Sequence, residues 1–233
     1  RAAETPVTYV AFDLLWLDGR SLLAEPYQRR RGLLAGLGFD GPSWQAPGHS
    51  VGDGEALLAA ARERGLEGIV AKRLASTYRP GRRSADWVKV QNRRRQELVV
   101  GGYMRGEGGR SRGVGSLLVG YWDATPAEAA SLGREQRLVY AGGVGTGFTQ
   151  ARLGELTELL EPLRRATSPF EAGWDPQLKY AARIRERGPL VWVDPVVVCE
   201  VEFLRWTHED TIRAASFKGI RDDKDPREVV REG

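Results

Sequence analysis

Apolar and polar positions follow different rhythms along the chain. Residues 7–15, "VTYVAFDLL", are dense in β-branched and aromatic side chains and run into "LDG", so a strand with a tight reversal at Asp18-Gly19 is expected. "EPYQRRRGLLAGLG" switches to helical spacing, with Pro26 at the start, Tyr27, Leu33, Leu34 and Leu37 near one face, and Gly38 as a stop. "GDGEALLAAARERG" repeats the device: Asp53 caps, Leu57, Leu58 and Ala61 pack, and Gly65 ends the helix. Two strand-like runs follow, "EGIVAKR" (67–73) and "DWVKVQ" (86–91), joined by a polar loop long enough for the second to return beside the first. From Glu97 onward the pattern is short strands broken by glycine-rich turns, "ELVVGGYM", "GSLLVGYW" and "RLVYAGGVG". A helix "TQARLGELTELLEPL" comes next, then "VVVCEVEFLRW" and "TIRAASFKGI". That spacing predicts a small β-barrel with one helix inserted, and makes the basic segment 92–96 the expected hinge. "RGEGGRSRGVGS" lacks the lysine and the strand-to-helix setting of a phosphate-binding P-loop, so it reads as a hairpin loop.

Strand alternation gives the two lysines of the central runs their interest. Trp87, Lys89 and Gln91 point one way and Val88 and Val90 the other; Ile69 and Ala71 oppose Val70 and Lys72. Both faces are expected to be covered, and a covered lysine is costly unless an anion meets it. The anion is either a carboxylate, Glu67 or Asp86, or a bound phosphate. Far along the chain, "FKGIRDDKDP" gathers Lys218, Arg221 and Lys224 around two carboxylates. Two separate cationic sets on two domains suit a phosphoryl-transfer site closed by domain motion, in which the cations neutralise developing charge and closure excludes water. Glu67 then suits a Mg²⁺ ligand, because a hard cation that keeps several waters needs only one or two protein carboxylates.

Composition adjusts this picture modestly. The 233 residues, 41% hydrophobic, fit one large or two ordinary globular domains. No apolar run approaches the roughly 20 residues that span a bilayer, and "RAAETPVTYVAF" has no signal-peptide core, so a soluble protein of the bacterial cytoplasm, near the nucleoid, is expected with no membrane partner. The net charge is only +4, but arginines cluster at 29–31, 82–83, 93–95 and 183–187, and basic patches facing solvent would favour a polyanion. The lone Cys199, in "PVVVCEVEF", excludes an internal disulfide and a cysteine zinc site and reads as a small buried strand residue.

In order along the chain, "VAFDLLWLDG", "EGIVAKR", "WVKVQ", "GGYMRGEGGRSRGVGSLLVG", "AGGVGTGF" and "GIRDDK" resemble the motifs of ATP-dependent DNA ligases, most closely the ligase domains of bacterial end-joining systems. The resemblance runs from Val7 to the C-terminus. It implies an α+β chain: the C-terminal part of a nucleotidyltransferase (adenylation) domain over 1–95, then an OB-fold β-barrel domain over 96–233. It also implies ATP or AMP and Mg²⁺ or Mn²⁺ as cofactors, and DNA nicks or ends as partners. An aromatic in a strand is ordinarily core, but the resemblance has Phe12 stacking on adenine. Glu67 would bind the metal, Lys89 would contact the α-phosphate, and Lys72 would belong to the same phosphate-facing set. Arg221, Asp223 and Lys224 would engage the departing pyrophosphate. Arg93, Arg94, Arg110 and Arg112 are the candidate DNA contacts. His49 and His208 match nothing in the family and read as surface polar residues.

Two departures shape the functional expectation. The family's nucleophilic lysine stands in Lys-x-Asp-Gly, and none of Lys72, Lys89, Lys179, Lys218 and Lys224 does, so the chain is expected to begin downstream of that element and to lack the first, self-adenylating step. The early strands of the nucleotide pocket would be missing too, leaving an exposed sheet edge that a second chain could cover. Gln91 stands where the family usually has a further phosphate lysine, and a neutral amide stabilises developing charge less. The expected function is therefore DNA ligation, joining 3′-OH and 5′-phosphate ends through AMP intermediates in repair and recombination, by a fragment or split form. The alternative is a non-catalytic DNA-binding remnant that uses the barrel and the basic clusters. A related RNA ligase or capping-type nucleotidyltransferase is a third reading, against which "VGTGF" and "GSLLVG" argue.

Overall fold

The computed structural model describes residues 7–106, 113–174 and 190–232, and the chain divides into two compact units, Arg1–Asn92 and Arg93–Gly233. The first unit holds β1 (Tyr9–Val10), β2 (Trp16–Leu17), β3 (Arg20–Ser21), α1 (Tyr27–Gly36), β4 (Asp40–Gly41), β5 (Trp44–Gln45), α2 (Gly54–Glu63), β6 (Gly68–Lys72) and β7 (Trp87–Gln91). The strand foreseen over 7–15 is confined to β1, which pairs in parallel with β5. Residues 11–15 leave it because Asp13 accepts from the Leu14 amide and from Arg30, a local alternative to ladder bonding. The reversal at Asp18-Gly19 forms as expected, both residues at positive φ between β2 and β3.

Helix α1 starts after Pro26 and ends before Gly38, but its buried face is Tyr27, Arg30, Arg31 and Leu34, with Leu37 left exposed. Those four positions are a true i, i+3, i+4, i+7 stripe, and two of them are arginines; a search for apolar positions alone rotates the helix. The same observation corrects the solvent-facing reading of the 29–31 cluster, since Arg30 and Arg31 are 0% and 4% exposed. Helix α2 is capped by Asp53, which accepts from the Ala56 amide; Ala61 is buried, Leu58 half-buried and Leu57 exposed. Strands β6 and β7 pair antiparallel, yet the expectation that both faces are covered fails: Val70 and Val88 are 53% and 50% exposed.

The second unit is built on β8 (Arg94–Arg105), β9 (Val114–Trp122), α3 (Pro126–Ser131), β10 (Leu138–Val144), α4 (Gln150–Leu160), β11 (Arg164–Arg165), β12 (Leu190–Phe203), β13 (Arg205–Trp206), β14 (Ile212–Arg213) and β15 (Ser216–Ile220). Among the described residues the main sheet runs β10-β9-β8-β12-β11, with β15 also on β12. Both of its faces are apolar. Leu98, Val100, Leu117, Val119 and Cys199 pack with Leu153, Leu156 and Leu160 of α4, while Val99, Leu118, Tyr140 and Val198 pack with Phe170 on the other side. Double coverage explains why "ELVV" and "SLLV" read as continuous apolar runs rather than alternating ones.

The outer cluster carries an aromatic set: Phe170 lies against Tyr140 and Trp192, and Trp174 meets Trp192 at 5.2 Å, nearly perpendicular. A Cβ on Gly101 or Gly120 would come within 2.5 or 2.7 Å of the Phe170 ring, so these glycines let the ring lie flat on two strands. Helix α3 is an element the spacing did not reveal, although "TPAE" is its signature: Thr125 and Glu128 form a reciprocal capping box. Of the segment 92–96, Asn92 and Arg93 lie outside strands where the two units meet in sequence, while Arg94, Arg95 and Gln96 pair with Phe203, Glu202 and Val201.

Candidate functional site

In the first unit the ribbon of β6 and β7 sets the geometry. Its register pairs Val70 with Lys89 and Lys72 with Trp87. Directly opposed residues share a face, so Lys72, Val70, Trp87, Lys89 and Gln91 look the same way, with the two lysines in diagonal positions roughly 7–8 Å apart. The ribbon starts at Gly68, with φ of +139°, where a Cβ would sit 2.1 Å from the Val90 carbonyl oxygen. Only glycine fits, and this is the physical content of the Glu-Gly pair. Asn92 closes the same end, its amide donating to the Glu67 carbonyl and its side chain to that of Leu66.

Lys72 is held among aromatic faces. Its Nζ lies 3.9 Å from the Trp87 ring centroid and 4.7 Å from those of Tyr27 and Phe12, and it donates a long hydrogen bond to the Phe12 carbonyl at 3.5 Å. Burial lowers the Lys72 pKa; the nearby Asp13 carboxylate opposes that, and Arg31 and Arg30 reinforce it. The ring quadrupoles favour the ammonium form and so work against burial. Phe12 is 55% exposed and lies outside any strand, so it is not a core residue.

Directly after it, Asp13 receives Arg30 Nε and Nη2, both at 2.9 Å, in a buried bidentate pair. Arg30 Nη1 also donates to the carbonyls of Glu25 and Ser76. One guanidinium thus ties three chain segments, bonding the residue after Phe12 and sharing the Tyr27 ring with Lys72.

Lys89 is 3.8 Å from Glu67, both side chains largely exposed, a pair worth about 0–1 kcal/mol. Of the two carboxylates considered for it, Glu67 is the partner; Asp86 faces Arg73 instead, at 3.7 Å. Among the described residues no three His, Cys, Asp or Glu side chains gather around a metal-sized space. Glu67 offers carboxylate oxygens at the start of the lysine-bearing ribbon, beside Lys89, which fits one contact to a largely hydrated hard cation and does not fit an all-protein cage.

In the second unit, Arg221 donates through Nε and Nη2 to Asp223 at 2.8 and 2.9 Å, and through Nη1 to Glu97 at 2.5 Å. Lys224 is 3.9 Å from the same Glu97 oxygen. The Arg221 hydrogen bonds hold the Asp223 carboxyl down to about 2. Arg93 and Arg94 are exposed at the start of β8, Arg93 lying 3.8 Å from Glu202, which Lys218 also meets at 3.0 Å. Arg110 and Arg112 lie outside the described residues, as do Lys179 and the arginines at 183–187.

Sequence reasoning missed Asp13–Arg30, the rings of Tyr27 and Trp87, and Glu97. The α1 stripe 27, 30, 31, 34 is a signal for the first two. Glu97 gives none, because Arg221 lies 124 positions away.

Comparison with known proteins places this geometry in a family. The profile of the ATP dependent DNA ligase domain matches residues 1–91, and that of the ATP dependent DNA ligase C terminal region matches residues 110–224. The Mycobacterium tuberculosis multifunctional non-homologous end joining DNA repair protein LigD is 43% identical over 232 residues, covering 100% of this chain and 28% of that protein. The Pseudomonas aeruginosa LigD is 40% identical over 228 residues, covering 97% and 25%. The chain therefore spans under a third of the length of these two curated relatives. The crystal structure of the ligase domain from M. tuberculosis LigD matches with a TM-score of 0.50 and 41% identity, over 100% of this chain and 69% of that one. A Lig E DNA ligase, 22% identical with a TM-score of 0.50, shares the fold.

Proposed function

We propose, for a chain that belongs to the ATP-dependent DNA ligase family, that its two units are the nucleotide-facing and DNA-holding parts of an end-joining ligase. The fold class is α+β, a nucleotidyltransferase domain followed by an OB-fold, and we assign the former to roughly the first 95 residues and the latter to the rest. The β6–β7 register carries the reading: it brings Lys72 and Lys89 to one face, with Glu67 at the ribbon's start and Phe12 against Lys72. In the sealing step a 3′-oxygen attacks the 5′-phosphorus of adenylated DNA, the phosphoanhydride bond breaks, and AMP departs with the electron pair. Lys89 and Lys72 neutralise the charge on that leaving phosphate, and Phe12 stacks on its adenine. A bound Mg²⁺ or Mn²⁺, held by Glu67, would supply further charge neutralisation.

Arg221, oriented by Asp223, and Lys224 are assigned to pyrophosphate, and Arg93, Arg94, Arg110 and Arg112 to the DNA backbone. The exposed apolar side chains Val7, Tyr9, Val10, Trp16 and Trp44 suit coverage by further polypeptide, from the same protein or from a second chain. No lysine in these 233 residues stands in Lys-x-Asp-Gly, so the chain as given is assigned the sealing step and not self-adenylation.

The test offers the chain a nick whose 5′-phosphate already carries AMP, with Mg²⁺ or Mn²⁺. The expected result is slow sealing that Lys89→Ala abolishes, with no AMP bound covalently to the protein. A protein–AMP adduct, or sealing indifferent to Lys89→Ala, would overturn it. DNA binding without sealing under either metal supports a second reading, a DNA-binding module, which the neutral Gln91 and the ring-bound Lys72 favour.

A further inference from the structure

The main ladder of the second unit contains an arrangement that stability alone does not explain. In the β8–β12 register Glu97 stands directly opposite Glu200, two carboxylates facing each other on one surface. Like charges so placed are destabilising. The cations that meet Glu97 itself come from outside the two strands of the ladder. Arg95 sits 3.8 Å from Glu200 and 3.3 Å from Glu202, whereas among the described residues Glu97 is met from the segment after β15, by Arg221 and Lys224 converging on a single oxygen, Oε1. The remaining Arg221 donors are taken by Asp223. Two cations on one oxygen, with a carboxylate bracing the guanidinium from its other edge, is how a protein receives a phosphate oxygen.

We propose that Glu97 is a positioning residue: its carboxylate occupies the place of a pyrophosphate oxyanion between Arg221 and Lys224, keeping both cations aimed but screened until a pyrophosphate displaces it. This rests on the assignment of Arg221 and Lys224 to pyrophosphate made above. The exchange is favourable in direction, since a carboxylate carries one negative charge and pyrophosphate several, while Asp223 stays in place and preserves the guanidinium's orientation. It is also sensitive to salt, because all the groups are at least partly exposed.

The probe is inorganic pyrophosphate, titrated by calorimetry at low ionic strength into the whole chain and three variants. Glu97→Gln keeps the side chain's size and removes the competing charge, so its affinity for pyrophosphate should rise about fivefold, the size of one exposed charge pair. Glu97→Asp should bind as the parent does, and the double variant Glu97→Gln with Arg221→Gln should lose the gain. Unchanged or weaker binding by Glu97→Gln overturns the proposal, as does a gain that survives loss of Arg221. A merely structural Glu97 predicts weaker binding, and a misfolded variant cannot bind more tightly. Sealing of a pre-adenylated nick by the parent chain involves no pyrophosphate and is measured in parallel, so failure of the ligase reading is scored separately.

Discussion

Replacing Arg30 by methionine removes the charge of α1 that adjoins the candidate site while keeping most of its volume. In the parent, Arg30 is 0% exposed and Asp13 4%, and the guanidinium makes two bonds to Asp13 and one each to the Glu25 and Ser76 carbonyls. Truncating one member of such a pair leaves an uncompensated buried carboxylate and costs about 3–5 kcal/mol. For a unit of about 90 residues, whose whole stability at 0.05–0.15 kcal/mol per residue is roughly 5–14 kcal/mol, that is about a fifth or more of the total. Because Asp13 follows Phe12, the loss should also loosen the backbone that presents the Phe12 ring and weaken AMP binding.

Hydrogen exchange at the α1 amides reads the first unit separately, and exchange protection there should fall by two to four orders of magnitude, the equivalent of 3–5 kcal/mol. The double change Asp13→Leu with Arg30→Met removes both charges and should recover more than half of the loss. A single-variant loss below about 1 kcal/mol, or a double variant no better than the single, would refute the reasoning, since either result means that the Asp13 charge is not stranded.

Two further outcomes follow from the same unit. Gly68→Ala should cost about 1–3 kcal/mol and displace β7 by pushing a methyl against the Val90 carbonyl; a melting curve with an unshifted midpoint would contradict the φ of +139°. Burial lowers the Lys72 pKa below the ordinary 10.5, so the folded state binds fewer protons than the unfolded between those two values. Stability of this unit should therefore rise with pH across that window, and urea titrations should show the rise flattened in Lys72→Met.

The second unit was legible because its signals are local and redundant: β9 centres on Leu117, Leu118 and Val119 with glycines at 115 and 120, and α4 follows Thr149, which accepts from the Arg152 amide as a cap should. Cys199 in mid-strand, 0% exposed with its thiol pushed up to about 12 by burial, reads the same from either side. The motif residues came from the family pattern, but their partners did not. The Lys72 cage draws on positions 12, 27, 72 and 87, and Glu97 meets Arg221 only through strand register, so neither is encoded by spacing. The buried arginines of α1 were hidden by a general expectation about charge: Arg is almost never fully buried unless paired, and its pair lay in a segment read as strand.

The perpendicular contact of Trp174 and Trp192 gives the protein a built-in optical reporter. Two indoles 5.2 Å apart at 84° couple their electronic transitions, so they should produce a near-ultraviolet circular dichroism signal that belongs to the second unit. Variants of Arg30 or Gly68 should leave that couplet untouched while the first unit melts, which turns one edge-to-face pair into a way of timing the two halves of the chain against each other.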